Sequence, residues 1–122
     1  MENLLTTLNI KQILINRNKG VISVKVTNKL KQPYGIVHGG INATLAETAA
    51  SLAGQKSLPP NKIAIGININ TQHLKSVKEG KIIATALPLH KGHTIQTWEV
   101  NLTVKKDLVS KSIVTLLKQI KK

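Results

Sequence analysis

The sequence predicts an α+β protein in which one long helix lies across an antiparallel sheet of about six strands. Three observations carry this expectation. Six segments have strand length and strand composition, several with period-two alternation. Only residues 41–54 combine helix-forming composition with helical spacing. Turn-forming residues separate the segments, with no linker, repeat or low-complexity stretch, so residues 1–122 are expected to form one domain.

Taken in order, residues 10–16 (IKQILIN) and 21–26 (VISVKV) read as two strands of a hairpin. Arg17-Asn18-Lys19-Gly20 supplies its turn. The helix follows at 41–54 (INATLAETAASLAG), with Ile41, Leu45, Ala49 and Leu52 on one stripe. Gly54 is placed to stop it, and Pro59-Pro60 forbid its continuation. In residues 63–70 (IAIGININ), strict alternation puts Ile63, Ile65, Ile67 and Ile69 on one face. Residues 81–89 form the next strand, and Pro88 predicts a sheet edge or bulge at its end. Residues 94–104 place Gln96, Trp98, Val100, Leu102 and Val104 on one side, which assigns Trp98 to the core. The last strand spans 109–117, and Gly80 and Gly92 mark turns.

Composition narrows the function classes. Hydrophobic residues make up 41% of the 122, too many for an intrinsically disordered chain. No apolar run approaches the ~20 residues of a membrane-spanning helix. The start, MENLLTTLNIKQ, lacks the features of a secretory signal, and the chain has no cysteine; both predict a cytoplasmic location. Absence of cysteine also removes disulfides, thiolate metal sites and a cysteine nucleophile.

Eighteen basic against five acidic side chains give a net charge of +13. Such a field attracts polyanions. Arg17 is the only arginine, however, and Tyr34 and Trp98 are the only aromatic residues. Base readout prefers arginine and single-strand binding needs stacking platforms, so the pattern argues against a nucleic-acid partner. A lysine-rich solvated surface accounts for the charge equally well.

Residues 32–55 (QPYGIVHGGINATLAETAASLAGQ) contain a single formal charge, Glu47. It stands about 200° around the helix from Leu45, off the leucine stripe. Its own side carries the small residues Ala43, Ala50, Ser51 and Gly54, which would admit a second surface. Two readings fit Glu47. A carboxylate is kept in apolar surroundings mainly where chemistry uses it; alternatively, neighbouring hydroxyls or solvent satisfy it. His38-Gly39-Gly40 precedes the helix, where free N–H groups can hold a developing oxyanion or simply form a tight turn. Glu47 and Gly39 lie ~10 Å apart along the helix axis, too far to share one reaction centre within a chain. Two such helices packed antiparallel in a dimer would bring them together.

Gln32-Pro33-Tyr34-Gly35-Ile36-Val37-His38-Gly39-Gly40, followed by Ala46-Glu47-Thr48, resembles the signature of hotdog-fold acyl-CoA thioesterases. The similar branch is that of 4-hydroxybenzoyl-CoA, phenylacetyl-CoA and 1,4-dihydroxy-2-naphthoyl-CoA thioesterases. Asn70–Leu74 and Pro88–Trp98 extend the likeness over about residues 30–118. The resemblance implies hydrolysis of an acyl-CoA thioester with an aromatic or medium-sized acyl group. Glu47 would act as general base or as nucleophile. The Gly39 N–H, with Gly40 as a second donor, would polarise the carbonyl; Gln32 and His38 would orient the carbonyl or the water, with Ser51 beside Glu47. The site would be shared between the chains of a homodimer, usually within a dimer of dimers. His73, Lys75, His90, Lys91, Gly92 and His93 would contact coenzyme A, although a structural role for His73 fits as well. No metal or other cofactor is expected; His90 and His93 lack an accompanying carboxylate or cysteine. Two departures from the family pattern are His93, where arginine is frequent, and Lys105-Lys106-Asp107-Leu108, a turn without glycine.

Three other functions compete with this one. An idle acyl-CoA or acyl-carrier binding module would not need the full Gln32, His38, Gly39, Glu47 and Ser51 set. A basic nucleic-acid binder lacks arginine and aromatics. A hotdog dehydratase would pair an aspartate with a histidine, and the only aspartate, Asp107, lies in a remote turn.

Overall fold

The computed structural model describes residues 2–121. A short helix α1 (Leu4–Thr7) leads into the hairpin β1 (Lys11–Asn16) and β2 (Lys19–Lys25). A 3₁₀ turn at Asn28–Leu30 precedes α2 (Gly39–Lys56), and four strands follow: β3 (Lys62–His73), β4 (Lys81–Lys91), β5 (Ile95–Val104) and β6 (Asp107–Ile120). The strands form one antiparallel sheet in the order β1-β2-β4-β5-β6-β3. The α+β expectation of one long helix on six strands therefore holds, and β1 and β3 are the sheet edges.

Burial follows the period-two pattern. Ile22, Val24, Ile82, Ala84, Ala86, Trp98, Val100, Leu102, Val114 and Leu116 face α2 and are buried. The helix answers with Leu45, Ala46, Ala49, Ala50 and Ala53. Alanine on this face keeps the helix close to the sheet, and Gly20 keeps β2 close to the helix. A Cβ on Gly20 would overlap the Ala49 carbonyl oxygen. Trp98 is fully buried, as expected, and its truncation to alanine would cost about 3–5 kcal/mol.

Four expectations need correction. The helix does not stop at Gly54 but runs to Lys56. Gly54 instead lets β5 and β6 approach, since a Cβ there would meet Gln96 Oε1 and Leu116 Cδ1, each at 2.7 Å. Ala50 and Gly54 thus face this chain's own sheet and offer nothing to a second surface. The four isoleucines of β3 do not share a face. A bulge between Gly66 and Asn68 places Ala64, Gly66 and Ile69 toward α2, and Ile63 and Ile65 away from it. Finally, the turn between β1 and β2 is Arg17-Asn18 alone, because Asn16 already pairs with Lys19.

Candidate active site

The segment between the 3₁₀ turn and α2 is a compact hairpin-like loop. Gln32 N–H donates to Ile36 O at 2.9 Å, and Gly35 N–H to Gln32 O at 3.0 Å. Gly35 takes φ +85, a conformation that favours glycine. The Gln32 side-chain Oε1 accepts the Tyr34 N–H. That leaves the Gln32 amide nitrogen available as a donor. Val37 N–H donates to Val77 O at 2.8 Å and His38 N–H to Leu30 O at 3.0 Å, which anchors the loop to both flanks.

His38 is the N-cap of α2, and its Nδ1 accepts the Gly40 N–H at 3.1 Å. Gly39 opens the helix, and its N–H makes no hydrogen bond among the described residues. Of the two glycine amides, Gly39 is therefore the free donor, positioned where the helix dipole is positive. Above it lies the ring of His73, at the end of β3: a Cβ on Gly39 would stand 2.8 Å from His73 Nε2. His73 Nδ1 lies 3.3 Å from Ser110 Oγ, which also accepts from Asn42 Nδ2 at 3.0 Å. A cavity of about 500 Å³ opens here, lined among others by Gln32, His38, Gly39, Asn42, His73 and Lys75.

Glu47 and Ser51 do not line that cavity. Glu47 sits at the edge of the buried arc of α2, half-buried against β3. Its carboxylate covers Gly66, where any Cβ would collide with Oε2. Among the described residues it has no salt-bridge partner. Ser51, one turn on, is also half-buried.

The remaining predicted contacts divide between the two ends of the sheet. Lys75 follows β3, lines the cavity, and lies 4.0 Å from Asp107. His90 and Lys91 end β4 and Gly92 and His93 turn into β5, with Lys91 in the register row of Gln96, Leu116 and Gly66. His73 and Lys75 belong instead to the row of Ser110. The two groups do not meet within one chain. Lys91 donates to Arg17 O and, at 2.9 Å, to Asn18 Oδ1, with its ammonium 5.6 Å from the Trp98 ring centroid. Partial burial and then the nearby Arg17 charge lower its pKa from the usual lysine value. No group of three His, Asp or Glu is arranged to hold a metal ion among the described residues. No described helix is long and apolar enough to cross a membrane.

A family model described as the thioesterase superfamily matches residues 34–111, from the Gln32–Gly35 loop into β6. The chain belongs to the thioesterase superfamily, and its fold is the hotdog fold. It is 40% identical over 97 residues to a 1,4-dihydroxy-2-naphthoyl-CoA hydrolase from Listeria monocytogenes, covering 80% of this chain and 79% of the other. A solved thioesterase from Haemophilus influenzae superposes with a TM-score of 0.91 at 32% identity, over 98% of this chain and 84% of that one. A solved thioesterase from Staphylococcus aureus gives a TM-score of 0.92 at 31% identity, over 95% and 98%. For several other curated relatives the match spans 58–61% of their length. The chain is an enzyme of the thioesterase superfamily, and that family needs no cofactor.

Three residues around the site lay beyond the sequence motifs. Gly66, which seats the carboxylate, was signalled by a lone glycine inside a strand pattern, a mark of a bulge or close approach. Asn42 and Ser110, which back His73, carry no local signal, since 68 residues separate them.

Proposed function

We propose that this thioesterase hydrolyses acyl-CoA thioesters, with 1,4-dihydroxy-2-naphthoyl-CoA as the leading substrate and other aromatic or medium-sized acyl groups behind it. The name of the Listeria relative supports that acyl group. One observation carries the catalytic reading: a free main-chain donor at Gly39, inside a cavity, and an unpaired carboxylate at Glu47, outside it. Each is half of an acyl-transfer site.

The halves combine if a second chain docks along β3. That strand is a sheet edge, and Ile67 and Ile69 are exposed on it. An edge of this kind is a template for pairing with another strand. In a two-fold dimer there every contact occurs twice, so a docking that brings Glu47 and Ser51 of one chain to Gly39 of the other builds two equivalent sites. The thioester oxygen then accepts from Gly39 N–H, and Gln32 and His38 orient the carbonyl or the water. Negative charge developing on that oxygen is stabilised by the fixed amide dipole. Glu47 either takes a proton from a water that adds to the carbonyl carbon or adds to that carbon itself; in both cases the C–S bond then breaks and the coenzyme A thiolate leaves. In the second case water then cleaves the resulting anhydride.

Lys75 and His73 take the phosphate-bearing arm of coenzyme A on the cavity side. His90, Lys91, Gly92 and His93 reach the same coenzyme A only from the other chain. A second dimer completes a homotetramer. The site lies within the cytoplasm and recruits neither membrane nor nucleic acid.

Release of free thiol from a panel of acyl-CoAs tests this. At least one aryl-CoA is expected to be hydrolysed. Glu47→Gln is expected to lose on the order of 100-fold or more in kcat. Equal rates in the two proteins would remove Glu47 from the mechanism.

A further inference from the structure

On the face of the sheet turned away from α2, beside the edge strand β1, lies a cavity of about 700 Å³ under the short helix α1. It sits five strands from β3, about 24 Å at the usual strand spacing. Three lysines enclose it: Lys11, Lys25 and Lys81. The register explains why they converge. Lys25 pairs with Lys81 across β2 and β4, and Lys11 pairs with Ser23, two residues along from Lys25. All three side chains therefore stand on one face.

Like charges directly opposite each other in a sheet are destabilising. None of the chain's acidic side chains lines this cavity or forms an ion pair with these lysines among the described residues. Its floor is Ser23, only 3% exposed. Leu5 and Ile10 add an apolar wall on the side of α1.

We propose that this cavity is a binding site for a phosphate-bearing anion, separate from the thioesterase site. The three ammonium groups neutralise a di- or polyphosphate as point charges, and the Ser23 hydroxyl donates to one phosphate oxygen. Leu5 and Ile10 accommodate whatever apolar body the phosphate carries.

Calorimetric titration of the 122-residue chain with inorganic pyrophosphate and with ADP tests the assignment. Saturable one-site binding is expected for pyrophosphate. Lys25→Gln/Lys81→Gln is expected to weaken it at least tenfold, and Ser23→Ala severalfold. Lys56→Gln/Lys121→Gln removes the same charge elsewhere and is expected to leave affinity within twofold. Stronger binding of ADP brings Leu5 and Ile10 into contact with the nucleoside; equal binding leaves the phosphates as the whole determinant. Thermal melts guard against misfolding: without ligand, Lys25→Gln/Lys81→Gln is expected to melt no lower than the parent, because repulsion is relieved. Pyrophosphate is expected to raise the parent's Tm and not the variant's. No saturable binding of pyrophosphate, or equal losses in both lysine pairs, would overturn the site.

Discussion

The carboxylate of Glu47 lies against the main chain of Gly66, in the space a methyl group there would fill. A helix residue two turns into α2 is thereby positioned by a strand residue 19 places later in the sequence. The strand has no side chain at that point, and the bulge beside it turns the edge of β3 locally. Position, more than any single hydrogen bond, is what this contact supplies to the carboxylate.

Gly66→Ala should therefore act through Glu47. Displacing a reacting group by about 1 Å can cost on the order of 100-fold in rate, and a loss of that size is expected in kcat. Stability should change little, since alanine suits a strand better than glycine. A double-mutant cycle checks the route. With Glu47→Gln already present, Gly66→Ala should cost nothing further in thiol release; additive losses would show that Gly66 acts elsewhere.

The two ends of the Gln32 amide can be separated by substitution. Its Oε1 accepts the Tyr34 N–H and so holds the loop, while its amide nitrogen remains to donate. Gln32→Glu keeps the acceptor and loses the donor; Gln32→Ala loses both. If donation to substrate or water matters, the two variants should fall together in kcat, by about 10-fold or more, one uncompensated hydrogen bond to a developing charge. An active Gln32→Glu with an impaired Gln32→Ala would confine the residue to loop support.

Residue pattern alone reached most of the sheet and the helix, because period two and period 3.6 are local properties. It failed where a single residue shifts a register. The bulge after Gly66 splits the isoleucine run, so Ile63 and Ile69 point to opposite faces. Gly54 carried the signature of a helix stop, yet close packing on Gln96 and Leu116 requires it inside the helix. The Gln32, His38, Gly39 and Glu47 constellation was visible as a motif. Its division between a cavity and a strand edge followed from helix length alone. The Asn42–Ser110–His73 chain was invisible, because tertiary pairing alone brings β6 beside β3 and the start of α2.

The turn joining β5 to β6 offers a stability test. Lys105 and Lys106 have φ of 49 and 71, and Val104 pairs with Asp107 around them. Two central residues with positive φ form the tight turn that favours Asn-Gly. Lysine in this conformation costs roughly 1 kcal/mol per residue, offset in part by glycine's greater freedom when unfolded. Lys105→Asn/Lys106→Gly should stabilise by about 1 kcal/mol, a rise of about 4 °C in Tm by calorimetry, with unchanged kcat.

Lys91 gives a pH signature. Burial first, and Arg17 second, lower its pKa in the folded state below the usual value of 10.5. The unfolded chain therefore binds more protons between the two values, and stability contributed through Lys91 rises with pH across that window. Below the folded pKa the unfavourable term is fully present; above 10.5 it is gone. Lys91→Met removes this dependence together with the bonds to Arg17 and Asn18. The stability of the parent relative to Lys91→Met, from urea melts between pH 8 and 10.5, should rise as pH approaches 10.5. A flat or falling difference would contradict the lowered pKa.

A shared site makes a prediction that no single-chain site can meet. Glu47→Gln and Gln32→Ala each impair both sites of a homodimer. In a mixed dimer, one site draws Gln32 from the first chain and Glu47 from the second, and both are native. Its other site carries both defects. Random reassociation makes half of the dimers mixed, each with one working site in two. Refolding the two impaired variants together should bring the rate to about a quarter of native, whereas mixing them without dissociation should leave only the average of their residual rates. Absence of recovery after confirmed subunit exchange would place Glu47 and Gln32 in one chain's site. The geometry would then demand an explanation for a carboxylate resting on Gly66, outside the cavity that holds Gly39.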